Sequence, residues 1–184
     1  DAQMLKDADV DAVILAIGSS PITIKLEGMD KLQHASAPEV LRHEVCPKGK
    51  VAVIGGGLVG LETADTLATD GCDVTVLEMK DEIGSDLGSL RKIAVMMKLQ
   101  QMQVKMLPNS KVCKFTEEGI VLEDETLVPC NCAVFAVGFA SNDSHLLVEE
   151  CEKRQIPCRV IGDAKSARRA LDAIAEGFEA ARTL

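Results

Sequence analysis

Gly55, Gly57 and Gly60, spaced as G-x-G-x-x-G directly after the apolar run VAVI, are residue types and intervals suited to binding phosphate through the main chain. The first glycine permits a tight turn, the second lets the backbone approach a pyrophosphate, and the third lets a helix and a strand pack closely. A helix beginning near Gly57 aims its unpaired N–H groups, and the positive end of its dipole, at the phosphates. Gly55, Gly56, Gly57, Leu58, Val59 and Gly60 are therefore the candidate phosphate-binding residues. At the end of the next apolar run, DVTVLE, Glu78 is placed to accept hydrogen bonds from both ribose hydroxyls and to repel a 2′-phosphate. This favours NAD(H) over NADP(H). Met79 and Lys80 follow as further nucleotide-binding candidates; Lys80 could tolerate a 2′-phosphate or serve as a solvated strand-end lysine. The competing reading of the triplet is an ordinary tight turn that binds nothing, and the strand before it, the amphipathic helix after it and the acid beyond oppose that reading.

These residues need a βαβ unit to hold them, and residues 50–78 read as one: strand, glycine turn, helix, strand. The whole chain has 184 residues, 47% of them hydrophobic, enough for one substantial core or two small ones. No apolar run approaches the roughly 20 residues that span a membrane, and the first residues lack the basic start and apolar centre of a signal peptide, so a cytoplasmic location is the expectation. A formal charge of −9 argues against nucleic acid or an anionic membrane as partner.

The seven cysteines, Cys46, Cys72, Cys113, Cys130, Cys132, Cys151 and Cys158, contain no C-x-x-C, which supports neither a disulfide framework nor a zinc ribbon. Cys130 and Cys132 would share one strand face and could meet a metal or a thiol partner, the alternative being small buried residues; Cys46 and Cys151 are the expected exposed thiols. His34, His43 and His145 have no second ligand at a metal spacing, so no metal site is expected.

Around the central unit, residues 1–9 read as the tail of a helix, and DAVILAIG (residues 11–18) as a strand buried on both faces of a parallel sheet. Residues 21–49 are rich in Pro and Gly, with a short extended piece ITIKL and a short helix near Pro38 to His43, and read as a crossing segment outside the core. Residues 85–101 read as a helix burying Leu87, Leu90, Ile93, Ala94 and Met97, with Met96, Met97, Met102 and Met106 as core filler. MQVKML is a third strand, and residues 111–130 have the broken alternation of a small antiparallel meander. NCAVFAVG repeats the pattern of DAVILAIG, both ending in Ala-x-Gly (residues 16–18 and 136–138), where Ala16, Ile17, Gly18 and Gly138 would let a cofactor or another backbone come close. RVIGDAK is a strand ending in Gly162-Asp163, and a final helix over residues 166–183 is expected to face Ala170, Leu171, Ile174, Phe178 and Ala181 inward. The fold class expected is α/β: a Rossmann-like NAD-binding domain, parallel sheet plus β-meander, over residues 50–140, inserted into a partial second domain made of residues 1–20 and 141–184.

With DAVILAIGSSP, VAVIGGGLVGLETADTLA, AVFAVGF and RVIGDA followed by RALDAIAEGFEAAR in order, nearly the whole chain resembles the two-dinucleotide-binding-domain flavoproteins, the pyridine nucleotide-disulfide oxidoreductases. Among these it is most similar to the C-terminal region of the 2,4-dienoyl-CoA reductase, enoate reductase and trimethylamine dehydrogenase relatives of the old yellow enzymes. The resemblance implies that the second domain binds FAD, with Asp163 on a ribityl hydroxyl and Ala16, Ile17, Gly18, Gly162 and Ala173 nearby. It implies that Glu62 lies close to the nicotinamide; a plain first-turn helix carboxylate is the other reading of that residue. Hydride would then pass from NADH to the flavin across the domain interface. The family's first G-x-G-x-x-G, the FMN barrel, the iron-sulfur cysteines and the redox C-x-x-C are absent from these residues. The chain is thus expected to act with upstream domains or a partner subunit carrying the FAD pyrophosphate site, in a possible homo-oligomer. Two alternatives are a non-catalytic nucleotide-binding or assembly module and a thiol-disulfide reductase.

Overall fold

The computed structural model describes Gln3, Leu5 and residues 9–184, so most of the stretch expected to end a helix at residues 1–9 lies outside the described residues. In chain order the strands are β1 (Val13–Leu15), β2 (Ser19–Pro21), β3 (Gln33–Ser36), β4 (Lys50–Ile54), β5 (Asp73–Leu77) and β6 (Lys105–Leu107). They continue with β7 (Val112–Thr116), β8 (Gly119–Leu122), β9 (Leu127–Pro129), β10 (Cys132–Phe135), β11 (Phe139–Ser141) and β12 (Cys158–Val160). The helices are α1 (Ala37–Leu41), α2 (Leu58–Thr69), α3 (Ser89–Gln101), α4 (His145–Lys153) and α5 (Ala170–Thr183). The chain forms two compact units, Thr23–Gly138, and Asp1–Ile22 with Phe139–Leu184.

The unit Thr23–Gly138 is built on a five-stranded sheet in the order β3-β10-β4-β5-β6, every pair parallel. Alternation along the strands divides the core. Val51, Val53, Val74, Val76 and Val134 pack on one face with Leu61, Ala64 and Leu67 of α2, Leu99 of α3 and Val40 of α1. Ala52, Ile54, Leu77, Ala133 and Phe135 pack on the other with Phe115, Ile120, Leu122 and Val128 of the β7-β8-β9 meander. Because both faces of the sheet are covered, its central strands β4 and β10 carry continuous apolar runs.

Three expectations change here. The segment read as a crossing connection contributes β3 as the edge strand, and Ala35, Ala37 and Val40 are buried in the core. The α1 helix forms there because Ser36 and Glu39 make a capping box around Pro38. α3 begins at Ser89, four residues later than its apolar spacing suggests, and its buried side is Val95, Met96 and Leu99, while Leu90, Ile93 and Met97 are exposed. Cys130 and Cys132 do not share a face; Cys132 joins the helix-side core and Cys130 the meander-side core.

In the other unit β1 pairs in parallel with β12, and β2 pairs antiparallel with β11. Ile14 on β1 is 40% exposed, so this strand is not buried on both faces within its unit. α5 also turns its expected face around. Its buried position is Ala180, with Ala173 and Gly177 half-buried, while Leu171, Ile174 and Phe178 are each about 70% exposed or more. The small side chains permit close approach: a side chain on Gly162 would meet the Ala173 Cβ at 3.3 Å. Cys151, expected to be exposed, is buried in this unit, whereas Cys46 is exposed as expected.

Candidate functional site

The parallel strands β4, β5 and β10 all end at one edge of the sheet, and the residues just beyond them, Gly55, Glu78 and Ala136, line a cleft of about 510 Å³. The crevice outside the carboxyl ends of a parallel sheet, where the winding direction reverses, is the general ligand position of such folds, and here the chain winds from β4 to β5 and β6 on one side and reaches β10 and β3 on the other. The ladder continues into the cleft, since Gly55 N–H donates to the Leu77 carbonyl at 2.8 Å and Ala136 N–H to the Ile54 carbonyl at 2.8 Å.

The glycines are there for stated steric reasons. Gly55 has φ +109°, and a Cβ on it would lie 2.4 Å from the Ala136 carbonyl oxygen. A Cβ on Gly60 would lie 1.9 Å from the Gly55 carbonyl oxygen, so α2 sits against the turn as closely as a chain without a side chain allows. Gly57 precedes α2 as its N-terminal cap, in an extended conformation.

Glu78 closes β5 and reaches back over the turn: one oxygen accepts from Gly56 N–H at 2.7 Å, the other from Lys80 N–H at 2.9 Å. A carboxylate has about four acceptor sites, which leaves it capacity for further donors. Gly55, Gly57, Leu58, Val59, Glu78, Met79, Lys80 and Gly138 all line the cleft, while Gly56 and Gly60 support its floor from within the turn. Glu62 does not line it; on the exposed side of α2, Glu62 accepts from Arg91 at 2.7 Å.

The spacing of the motif does not point to several other cleft residues. Ile24 and Leu26, from the segment before β3, and Val112 of β7 form an apolar wall. Ser110 and Lys111 stand beside Glu78 and Lys80, and Lys111 is held by Glu123 at 2.6 Å, which raises its pKa through that hydrogen bond and charge. Asp86, inside what reads as a helix in sequence, instead lies in a loop and accepts from Leu58 N–H with both oxygens, at 3.1 and 3.0 Å. Gly84 and Gly88, flanking this stretch, are the sequence signal of a loop there.

The unit Asp1–Ile22 with Phe139–Leu184 holds the other candidates. Gly18 turns with φ +75°, and Asn142 fixes that turn by donating to the carbonyls of Ile17 (2.8 Å) and Gly18 (3.0 Å). Asp163, half-buried after β12, accepts from Ser19 Oγ at 3.1 Å and from Arg168 N–H at 3.2 Å. The structure thus brings Ser19, next to Gly18, together with Gly162-Asp163, and places Ala173 against Gly162. Ala16 lies just past β1, before Ile17 and Gly18.

Glu176 of α5 braces this loop. It accepts from Arg168 and from Lys165 (3.1 Å), and from Gly162 N–H at 2.7 Å. Arg168 first, then Lys165 and the Gly162 amide, hold its pKa down from 4.5 to about 2. A depressed carboxylate contributes stability that is complete above its unfolded value and is lost as pH falls through its folded one. Acid titration by circular dichroism is therefore expected to show loosening of this unit between about pH 4.5 and pH 2, and Glu176→Gln is expected to remove that pH dependence.

Among the described residues no group of three or more His, Cys, Asp or Glu is arranged to hold a metal ion, and no helix is long and apolar enough to cross a membrane. All seven cysteines are unpaired. Burial pushes the Cys130 and Cys132 thiols up to about 11, and burial together with neighbouring Cys151 does the same to Cys158.

The model of the pyridine nucleotide-disulphide oxidoreductase family matches residues 3–164, most of the chain. The chain belongs to this family. As a pyridine nucleotide-disulphide oxidoreductase it is 36% identical over 191 residues to a bilirubin reductase of Mediterraneibacter gnavus, a match that covers 100% of the chain and 29% of that relative. It is 35% identical over 188 residues to a cinnamate reductase of Clostridium sporogenes, covering 98% of the chain and 27% of that protein. The chain therefore spans under a third of the length of these relatives. Among solved structures, a 2-naphthoyl-CoA reductase complexed with 2-naphthoyl-CoA shares its fold with a TM-score of 0.88 and 24% identity, over 100% of the chain and 28% of that structure. These matches bear out the resemblance to the enoate-reductase type of flavoprotein and the α/β fold.

Proposed function

We propose that this chain is the NADH-binding portion of an FAD-dependent reductase, and that the cleft at the carboxyl edge of the sheet receives the dinucleotide. The observation that carries the reading is the glycine turn itself: the closeness of Gly55 to Ala136 and of Gly60 to Gly55 makes a backbone cradle that any side chain would fill. Such a cradle beside a strand-end carboxylate fits a pyrophosphate and the ribose next to it.

In this reading the N–H groups of residues 57–59 face the pyrophosphate while the Gly56 N–H stays on Glu78, Glu78 accepts from the ribose hydroxyls with its remaining capacity, and Ile24, Leu26 and Val112 supply an apolar wall for a planar base. Glu62 takes part at the nicotinamide only after its pair with Arg91 opens. Ala16, Ile17, Gly18, Gly162, Asp163 and Ala173 fit the sugar-alcohol part of FAD, because the Asp163 carboxylate and the turn carbonyls are acceptors suited to hydroxyl groups. The bound nicotinamide supplies a hydride that reduces the flavin; the chain contributes binding and orientation.

Electron acceptor, further domains and partner subunits belong to the longer protein of which the relatives give the scale. We place it in a reducing compartment, the cytosol, on the support of seven unpaired cysteines. The same buried, protonated thiols count against a thiol-disulfide reductase. The test is titration of NADH into the ¹⁵N-labelled protein, with the amides of residues 57–59 expected to shift first.

A further inference from the structure

We propose that Asp86 is an internal stand-in for the nucleotide phosphates, which occupies the glycine turn when no dinucleotide is bound and must leave for one to enter. The inference rests on the cleft being the dinucleotide site. Its carboxylate takes the Leu58 N–H, the first main-chain donor of α2, with both oxygens, at 3.1 and 3.0 Å. One of those oxygens also lies 3.2 Å from where a Cβ on Gly57 would stand, so the absence of a side chain there lets the carboxylate come in close. The helix donor beside the second glycine of the motif is thus taken by an anion from the chain itself. A carboxylate there satisfies the helix terminus and its dipole as a phosphate would, so the two compete for one position.

The loop that carries Asp86 is built to hold this position and to give it up. On its N-terminal side Ile83 is buried at 6% exposure, and Gly84 N–H donates to the Gly56 carbonyl at 2.7 Å, pinning the loop to the turn. Gly84 has φ +67°, a conformation side chains resist, and Gly88 before α3 has open space around it. Leu87 on the other side packs against the helix-side core and its N–H donates to the Gly84 carbonyl at 3.2 Å, so Ile83 and Leu87 stay fixed and the position is given up by Asp86 turning its side chain out from between them. In the nucleotide-free protein this closed form lowers the apparent affinity by the fraction of molecules that are closed. A capping carboxylate of this kind weights the closed form about fivefold.

The experiment compares wild type, Asp86→Ala and Asp86→Asn by calorimetric titration with NADH, inorganic pyrophosphate and adenosine. Asp86→Asn keeps the shape and one acceptor oxygen, so it reports even where the alanine variant folds poorly. About fivefold tighter binding of NADH and pyrophosphate to Asp86→Ala, a smaller gain in Asp86→Asn and unchanged binding of adenosine, which has no phosphate, support the inference. Wild type that binds NADH with variants that bind it equally or more weakly overturns it and leaves the cleft assignment standing. Absence of NADH binding in all three overturns the cleft assignment, and this inference with it.

Discussion

Gly60→Val is expected to abolish NADH binding and to lower stability by about 3 kcal/mol, a fall in melting temperature of roughly 6–12 °C for a chain of this size. The reason is local. A Cβ at residue 60 would stand 1.9 Å from the Gly55 carbonyl oxygen and 3.0 Å from its carbon, and 3.4 Å from the Ala136 Cβ. Two of those atoms are main chain in the turn that closes β4, which cannot rotate away as the end of a long side chain could. α2 must move outward, taking Leu61 and Ala64 from the helix-side core and drawing the N-terminal amides of the helix back from the cleft. Gly88→Ala is the steric comparison, because Gly88 has φ −65° and nothing within 4 Å of an added Cβ; as the N-cap of α3 it is expected to lose only about 1 kcal/mol, from the poorer cap. Differential scanning calorimetry of both variants, alone and with NADH, checks the pair.

Glu78→Gln is expected to weaken NADH binding about tenfold and to erase the preference over NADPH. Hydrogen bonds to a charged group contribute about 1.5–3 kcal/mol each, and a tenfold loss corresponds to the low end of that range. Glutamine keeps an oxygen for the Gly56 N–H, now held at 2.7 Å, so the turn survives. What it loses is charge: the ribose hydroxyls meet a neutral amide, and a 2′-phosphate is no longer repelled. Lys80, lining the cleft next to residue 78, then meets the phosphate without that carboxylate beside it, while Lys111 stays paired with Glu123. Parallel titrations with NADH and NADPH read the change as a ratio, which a general loss of folding would not move. A ratio unchanged in Glu78→Gln would show that this carboxylate does not select the cofactor.

The parts of the structure that follow a short-range rule were legible in the sequence. The glycine spacing, the apolar strands VAVI and DVTVL, the strand-end Glu78 and the β7-β8-β9 meander each state their own geometry within a few residues. The orientation of the helices was not. α3 carries apolar residues at 90, 93, 94, 95, 96, 97 and 99, which encircle it, so periodicity admits two faces and the sheet chooses Val95, Met96 and Leu99. On α5 the large residues form the more hydrophobic stripe, yet the small ones pack, because Ala173 and Gly177 allow the approach to Gly162 and Ile161. β3 was hidden for another reason: QHAS has little strand character, and it is held by parallel pairing with β10, almost a hundred residues away in sequence. Asp86 belongs to the same class, since nothing in the order of residues shows that a loop after β5 folds back onto the first turn of α2.

The most direct measurement is the amide footprint of NADH on the ¹⁵N-labelled full chain, recorded against added AMP and free nicotinamide. A dinucleotide lying over the glycine turn predicts saturable shifts at Gly57, Leu58 and Val59, with Gly56, Glu78 and Lys80 following, a smaller response to AMP, and none at these amides to nicotinamide alone. NADH that leaves those amides unmoved at millimolar concentration, or that shifts residues away from the cleft instead, would contradict the assignment of this edge of the sheet as the nucleotide site.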